Sequence, residues 1–123
     1  MKKIFTFSFV LLIILSLTAC TSKFDGSRTG NDSQFIMDFK VLDKTDSQLL
    51  ELEQGDIIDV DIASDSGQLN IEVQKDNDEP IYKSENVPTS SFQIEIPESG
   101  TYKFSVTGEK AKGSVSFIKQ TSK

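Results

Sequence analysis

From residue 34 onward, large apolar side chains recur at every second position, the spacing of a strand with one buried face and not of an amphipathic helix. Phe35, Met37, Phe39 and Val41 share one parity and Asp38 and Lys40 the other, with Ile36 alone out of phase. The same alternation sets Ile58, Val60 and Ile62 against Asp59 and Asp61, and Leu69, Ile71 and Val73 against Asn70, Glu72 and Gln74. Farther on it sets Phe92, Ile94 and Ile96 against Gln93 and Glu95, and Tyr102, Phe104 and Val106 against Lys103, Ser105 and Thr107. Val115 and Phe117 oppose Ser114 and Ser116 in the same way. Residues 49–53 read as a further short strand, and Ile81 with Tyr82, between Pro80 and Pro88, as a weak edge element.

Turn chemistry falls between these runs. Gly55-Asp56, Asp65-Ser66-Gly67, Asp76-Asn77-Asp78, Glu98-Ser99-Gly100 and Gly108 supply residues that accept positive φ or hydrogen-bond their own backbone. Seven or eight short strands without a helix predict an all-β fold, an antiparallel β-sandwich over residues 34–123, because one sheet could not cover so many Phe, Ile and Val faces. A turn over residues 97–101 predicts a hairpin with Ile96 opposite Tyr102, Glu95 opposite Lys103 and Ile94 opposite Phe104.

The segment Ile96-Pro97-Glu98-Ser99-Gly100-Thr101-Tyr102-Lys103-Phe104-Ser105-Val106 resembles the closing hairpin of bacterial jelly-roll sandwiches of the pre-peptidase C-terminal type. There a Gly-Thr-Tyr step opens a strand near the end of the domain. The resemblance implies a jelly roll that accompanies secreted proteins as a binding or stabilising module. It concerns the fold alone, since turn physics also selects Gly-Thr-Tyr and a shared fold does not carry a function with it.

The N-terminus has a different character. Lys2 and Lys3 precede an apolar stretch over residues 4–17, which ends in Leu17-Thr18-Ala19-Cys20. Charge, short apolar core and small residues are the parts of a secretory signal, here residues 1–19. The stretch is shorter than the roughly 20 apolar residues a membrane-spanning helix needs. A cysteine directly after the small residues resembles the signal of bacterial lipoproteins, which implies cleavage before Cys20, a diacylglyceryl thioether on its sulfur, and attachment to the membrane. The alternative is an ordinary cleaved signal, which would leave the chain's only cysteine as an exposed, unpaired thiol. Arg28 is the single arginine against a dozen lysines, a bias common in AT-rich bacterial genomes that favours a one-membrane cell with the protein on its outer face. Residues 20–33 are polar and Gly/Ser-rich and read as the lipidated cysteine with a flexible tether, of reach about 20 Å.

Charge and composition exclude several activities. The net charge is −6, and becomes more negative once Lys2 and Lys3 leave with the signal, so phosphate backbones are repelled and nucleic acid is not an expected partner. With no histidine in the chain, Ser-His and Cys-His nucleophiles and histidine-held metals are excluded. No nucleophile elbow, phosphate loop or dinucleotide fingerprint occurs. The expected function is non-catalytic binding or structural contact with an unknown protein or glycan. A calcium- or carbohydrate-binding module is the alternative, and a small hydrolase built on a carboxylate pair comes third.

Three clusters are candidates for binding. Asp59, Asp61 and Glu72 would share a wet face if residues 58–73 formed a hairpin with Val60 opposite Ile71; like charges there would call for Ca²⁺ or a basic partner. A solvated acidic face is the bland reading of the same residues. Asp76 and Asp78, in Asp76-Asn77-Asp78-Glu79, are a second calcium candidate, though the spacing of a calcium loop is missing and a simple turn explains them. Phe24, Tyr82 and Tyr102 could stack on sugars, although Tyr102 is in phase with the core. No cofactor is otherwise expected.

Overall fold

The computed structural model describes residues 23–120, so the signal expected over residues 1–19, the lipidation expected at Cys20 and the last three residues lie outside the described part. Seven strands follow one another: β1 (Lys23–Asn31), β2 (Gln34–Asp43), β3 (Thr45–Leu52), β4 (Ile57–Lys75), β5 (Tyr82–Ser84), β6 (Ser90–Glu95) and β7 (Gly100–Lys119). Every pairing is antiparallel. The described residues contain no helix, and the fold is all-β as the alternation predicts.

The spine is a long ribbon of β4 and β7, paired from Ile58 beside Lys119 to Lys75 beside Tyr102. Other strands flank only one half of it. β2 lies against the 111–118 part of β7 with β1 outside it, and β6 lies against residues 57–62 of β4. β3 flanks residues 100–107 of β7, and β5 flanks residues 71–73 of β4. One half of the ribbon therefore sits in a β1-β2-β7-β4-β6 layer, the other in a β3-β7-β4-β5 layer.

These layers face each other. Phe104 and Phe117 are thirteen residues apart on β7, about 44 Å along a straight strand at roughly 3.4 Å per residue. Their ring centroids are 5.0 Å apart. The ribbon doubles back on itself, and its two halves pack as the layers of a sandwich.

The fold-back explains a departure from the sequence reading. Residues 65–67 and Gly108 are turn signals that predict strand ends, yet β4 and β7 run through them. The β4–β7 register slips twice between Ser64 and Gln68. Such bulges raise the local twist, so a paired ribbon turns a corner without giving up its partners. Gly67 sits there at φ 74°, and a Cβ on it would run into the backbone carbonyl of Lys110, itself at φ 50°. Two expected pairs of strands thus become two long bent ones.

The phase of the core follows the alternation closely. Phe35, Met37, Phe39, Ile58, Val60, Ile62, Leu69, Ile71, Val73, Tyr102, Phe104, Val106, Val115 and Phe117 are all buried. Val41 departs from it: the β2–β7 register shifts between Phe39 and Leu42, which sends Leu42 into the core and leaves Val41 half-buried. Both open sides of the sandwich are closed by side chains. On one side, Arg28 of β1 lies 4.9 Å over the Phe35 ring and donates to the Asp46 carboxylate and the Ser47 carbonyl of β3, both at 2.7 Å. On the other, Tyr82 of β5 meets Phe92 of β6 at 5.2 Å.

Two expectations are corrected. The tether expected over residues 20–33 is, from Lys23 to Asn31, strand β1, joined to β2 through Asp32 and Ser33 with the Ser33 N–H donating to Asn31 Oδ1 at 2.9 Å. Composition weighs what side chains can bury, and β1 is exposed throughout; its pairing comes from backbone hydrogen bonds to the edge of β2 and from Arg28. The hairpin over residues 97–101 is also absent. β6 pairs with β4, β7 begins beside β3, and residues 96–99 carry the chain from one layer to the other. Glu95 is beside Ile57, and Lys103 lies between Leu49 and Gln74.

Tyr102 anchors that crossing, its hydroxyl donating to the Glu98 carbonyl at 2.7 Å while its ring is fully buried. Burial raises the phenol above its ordinary value; the backbone contact at Glu98 and the Lys75 charge oppose it in part, and the Glu98 and Asp78 carboxylates add to it. A group whose folded-state pKa is raised contributes stability in full below its unfolded value, and that contribution is lost as pH climbs through the folded one. Denaturant melts should therefore be flat in this respect at neutral pH and fall above about pH 10. Tyr102→Phe should reduce the alkaline loss and cost about 1 kcal/mol at neutral pH through the missing hydrogen bond. An unchanged alkaline slope in the variant would contradict the assignment.

Candidate functional site

Alternation in the β3-β7-β4-β5 layer turns Leu50, Leu52, Tyr102, Phe104, Leu69 and Ile71 inward, so the side chains between them form an outward grid. Register arranges the grid in rows. One row runs Thr45, Thr107, Asn70; the next runs Ser47, Ser105, Glu72, Lys83; a third runs Leu49, Lys103, Gln74. Neighbours within a row are about 4.8 Å apart, the spacing of paired strands.

The rows form a shallow polar depression of about 370 Å³. Its β3–β7 side is a ladder of hydroxyls, with Thr45 and Thr107 at 2.8 Å and Ser47 and Ser105 at 3.0 Å. Two amides are committed to holding its rim: Asn70 Oδ1 accepts the Asn86 N–H at 2.9 Å, and Gln74 Nε2 donates to the Asp78 carbonyl at 2.7 Å. The charged groups are not so committed. Among the described residues, Glu72, Lys83 and Lys103 make no ion pair. A floor of fixed hydroxyls with the Glu72 carboxylate and the Lys83 and Lys103 ammonium groups beside it, and the Glu85 carboxylate also in its lining, can donate and accept hydrogen bonds over several adjacent positions.

The structure separates the first predicted cluster. Residues 57–75 are one strand, so Val60 is not opposite Ile71. Glu72 belongs to the grid just described, while Asp59 and Asp61 lie on the outer face of the opposite layer. There Gln93 Nε2 donates to Asp59 at 2.9 Å, Gln120 Nε2 to the same oxygen at 3.2 Å, and the Ser91 hydroxyl to Asp61 at 2.6 Å. Neutral donors from β6 and the chain end answer these carboxylates.

The acidic turn has an ammonium at its centre. Lys75 Nζ lies 4.0 Å from the Asp76 and Asp78 carboxylates and 3.7 Å from Glu98, and the Asp78 N–H closes the turn on the Lys75 carbonyl at 2.9 Å. Among the described residues, no three acidic side chains gather as a metal would require. Of the aromatic candidates, Tyr102 is in the core, Tyr82 is engaged with Phe92, and Phe24 on β1 is partly exposed.

Nothing in the sequence marks Ser47, Lys83, Lys103 or Ser105 as a ligand-binding residue. Each is legible as a wet-face residue, but only the strand pairing puts them in one row or in adjacent ones.

No protein-family model matches the chain, and no curated protein matches its sequence. Solved structures resemble it in fold. PliG from Aeromonas hydrophila, a periplasmic inhibitor of g-type lysozyme, aligns with a TM-score of 0.47 at 20% identity, covering 80% of this chain and 88% of that one. The pre-peptidase C-terminal domain of a collagenase from Bacillus anthracis aligns with a TM-score of 0.45 at 11% identity, covering 80% and 89%.

Proposed function

We propose that this chain is a non-catalytic binding module, held at the outer face of the cell membrane by lipid on Cys20, that takes a polyhydroxylated ligand on the outward face of the β3-β7-β4-β5 layer. The observation that carries the reading is the row Ser47, Ser105, Glu72, Lys83, in which hydroxyls, a carboxylate and an ammonium are aligned without an ion partner among the described residues. A glycan offers donors and acceptors at matching short intervals. A protein partner is favoured less, because protein interfaces concentrate aromatic residues and arginine and this face has neither. Catalysis is disfavoured by the lack of histidine and by the shallow, open form of the depression.

Calorimetry with soluble cell-wall glycan fragments tests the binding half of the proposal. Glu72→Gln and Lys103→Gln should each weaken binding about tenfold, in keeping with roughly 1.5–3 kcal/mol for a hydrogen bond to a charged group, and leave the melting midpoint unchanged. Binding unaffected by both variants would refute the site. For the anchor, Cys20→Ser should abolish incorporation of labelled fatty acid and release the protein from the membrane fraction, because no other thiol is present. Label retained on that variant would refute lipid attachment at Cys20.

A further inference from the structure

We propose that the free edge of β6 is a docking site for an extended peptide segment of another protein, one whose residues alternate between apolar and basic. The segment adds to the β1-β2-β7-β4-β6 layer as a further strand. This surface lies in the opposite layer from the glycan-facing grid and does not depend on it.

Strand β6 pairs on one side only, with residues 57–62 of β4. Just beyond it, the Ile96 N–H donates to the Asp56 carbonyl at 2.9 Å. Alternate residues of an antiparallel ladder bond to the same side, so Ile94, Phe92 and Ser90 also bond to β4. The N–H and C=O groups of Ser91, Gln93 and Glu95 then point away from β4, and among the described residues no hydrogen bond reaches them. The edge of β3 is treated differently, its outward groups capped one by one. The Ser47 carbonyl accepts from Arg28 at 2.7 Å, the Leu49 carbonyl accepts from Gln48 Nε2 at 3.3 Å, and the Glu51 N–H donates to the Asp32 carbonyl at 3.0 Å. β1 carries a bulge at residues 25–26, and β5 is only 3 residues long. Caps, bulges, brevity, lysine and proline are the means by which sheets discourage strand addition. β6 has no cap or bulge on its outer edge and contains neither lysine nor proline.

Side chains along this edge specify the occupant. Ile81, Tyr82 and Phe92 pack against the core but stay only partly buried, and all three lie on the β5–β6 side of the sandwich. A strand laid on β6 places alternate side chains beside Phe92 and Ile94, where apolar groups gain burial. The intervening side chains stand on the outer face beside Ser91, Gln93 and Glu95. That face is acidic. Glu95 makes no ion pair among the described residues. Asp59 and Asp61, one strand behind Gln93 and Ser91, are held by neutral donors that leave their charges uncancelled. Lysine or arginine on the added strand answers these carboxylates, Glu95 from directly across and the aspartates by the reach of a long side chain. A second copy of this chain fits less well, because its own β6 offers no basic residue to an acidic edge.

The probe is an acetylated and amidated heptapeptide of alternating lysine and valine. It is added to the chain from Cys20 onward, which contains all seven strands and carries Cys20→Ser to remove the thiol. Amide shifts should centre on Ser91, Gln93 and Glu95. Solvent exchange of those three amides should slow at least about tenfold at saturating peptide, as new ladder bonds require. A peptide of the same composition, with its lysines and valines in two separate runs, should bind at least about tenfold more weakly, because it cannot present one kind to each face. Gln93→Pro removes an N–H that β4 does not use, so the melting midpoint should hold while affinity falls at least about tenfold. Glu95→Lys decides the matter even if the proline variant unfolds: it should weaken the lysine–valine peptide and favour a glutamate–valine peptide of the same length. No saturable binding, shifts centred on the grid, equal affinity for the two lysine–valine peptides, or an unchanged preference in Glu95→Lys would overturn the proposal. So would sedimentation showing the free chain paired with itself and separated by Gln93→Pro, which would give the edge to a second copy.

Discussion

Phe104→Ala is expected to cost about 3–5 kcal/mol of stability, the range for removing a buried aromatic ring from a packed core. Phe104 is fully buried and its ring meets Phe117 across the fold-back, so the substitution opens a void between the two layers and not merely within one. A domain of this size has roughly 5–10 kcal/mol in total, which leaves the variant near its folding limit at physiological temperature. Phe104→Leu keeps most of the volume and should cost markedly less. Urea melts of both variants at constant m-value measure the difference. A loss under about 1 kcal/mol for the alanine variant would mean that the halves of β7 do not pack against each other through this ring.

The corner of the ribbon should be nearly as sensitive. At Gly67 the backbone adopts φ 74°, where a side chain costs about 1–3 kcal/mol in strain alone. An added Cβ would also press on the Lys110 carbonyl, a backbone atom that cannot rotate away. Gly67→Ala is therefore expected to destabilise by more than the strain alone. Ser66→Ala, one residue earlier on an exposed position, should change the melt by less than about 0.5 kcal/mol. Equal effects at 66 and 67 would show that the bend does not depend on the glycine.

The legible parts of this fold are those that side-chain burial decides. Phe35, Ile58, Leu69, Tyr102, Phe104 and Val115 fall in the core because period-2 alternation admits only one way to hide them. What was not legible depends on backbone pairing between distant segments. Asp65-Ser66-Gly67 is equally good chemistry for a hairpin and for a bulged corner, and nothing local distinguishes the two. Pro97 to Gly100 has the same ambiguity, serving as a crossing between layers where a hairpin was expected. Lys23 to Asn31 offers almost no apolar surface and still forms a strand, because the edge of β2 supplies its partners.

The candidate site shows the same division. Alternation alone groups Glu72 with Asp59 and Asp61, which belong to the opposite layer. Its actual neighbours, Ser105 and Lys83, come from β7 and β5, thirty-three and eleven residues away in the chain. A wet-face serine carries no sign of its own; the row does. Lys75 likewise gives no local sign of filling the acidic turn, because Glu98 reaches it only through the fold.

Backbone amide shifts measured while cell-wall glycan fragments are added to the folded domain test the binding face most directly. The largest changes should fall on Ser47, Glu72, Lys83, Lys103 and Ser105, and should vanish in Glu72→Gln combined with Lys103→Gln. Changes centred instead on Asp59, Asp61 and Ser91, or no changes at saturating fragment, would contradict the assignment of the β3-β7-β4-β5 face as the ligand surface.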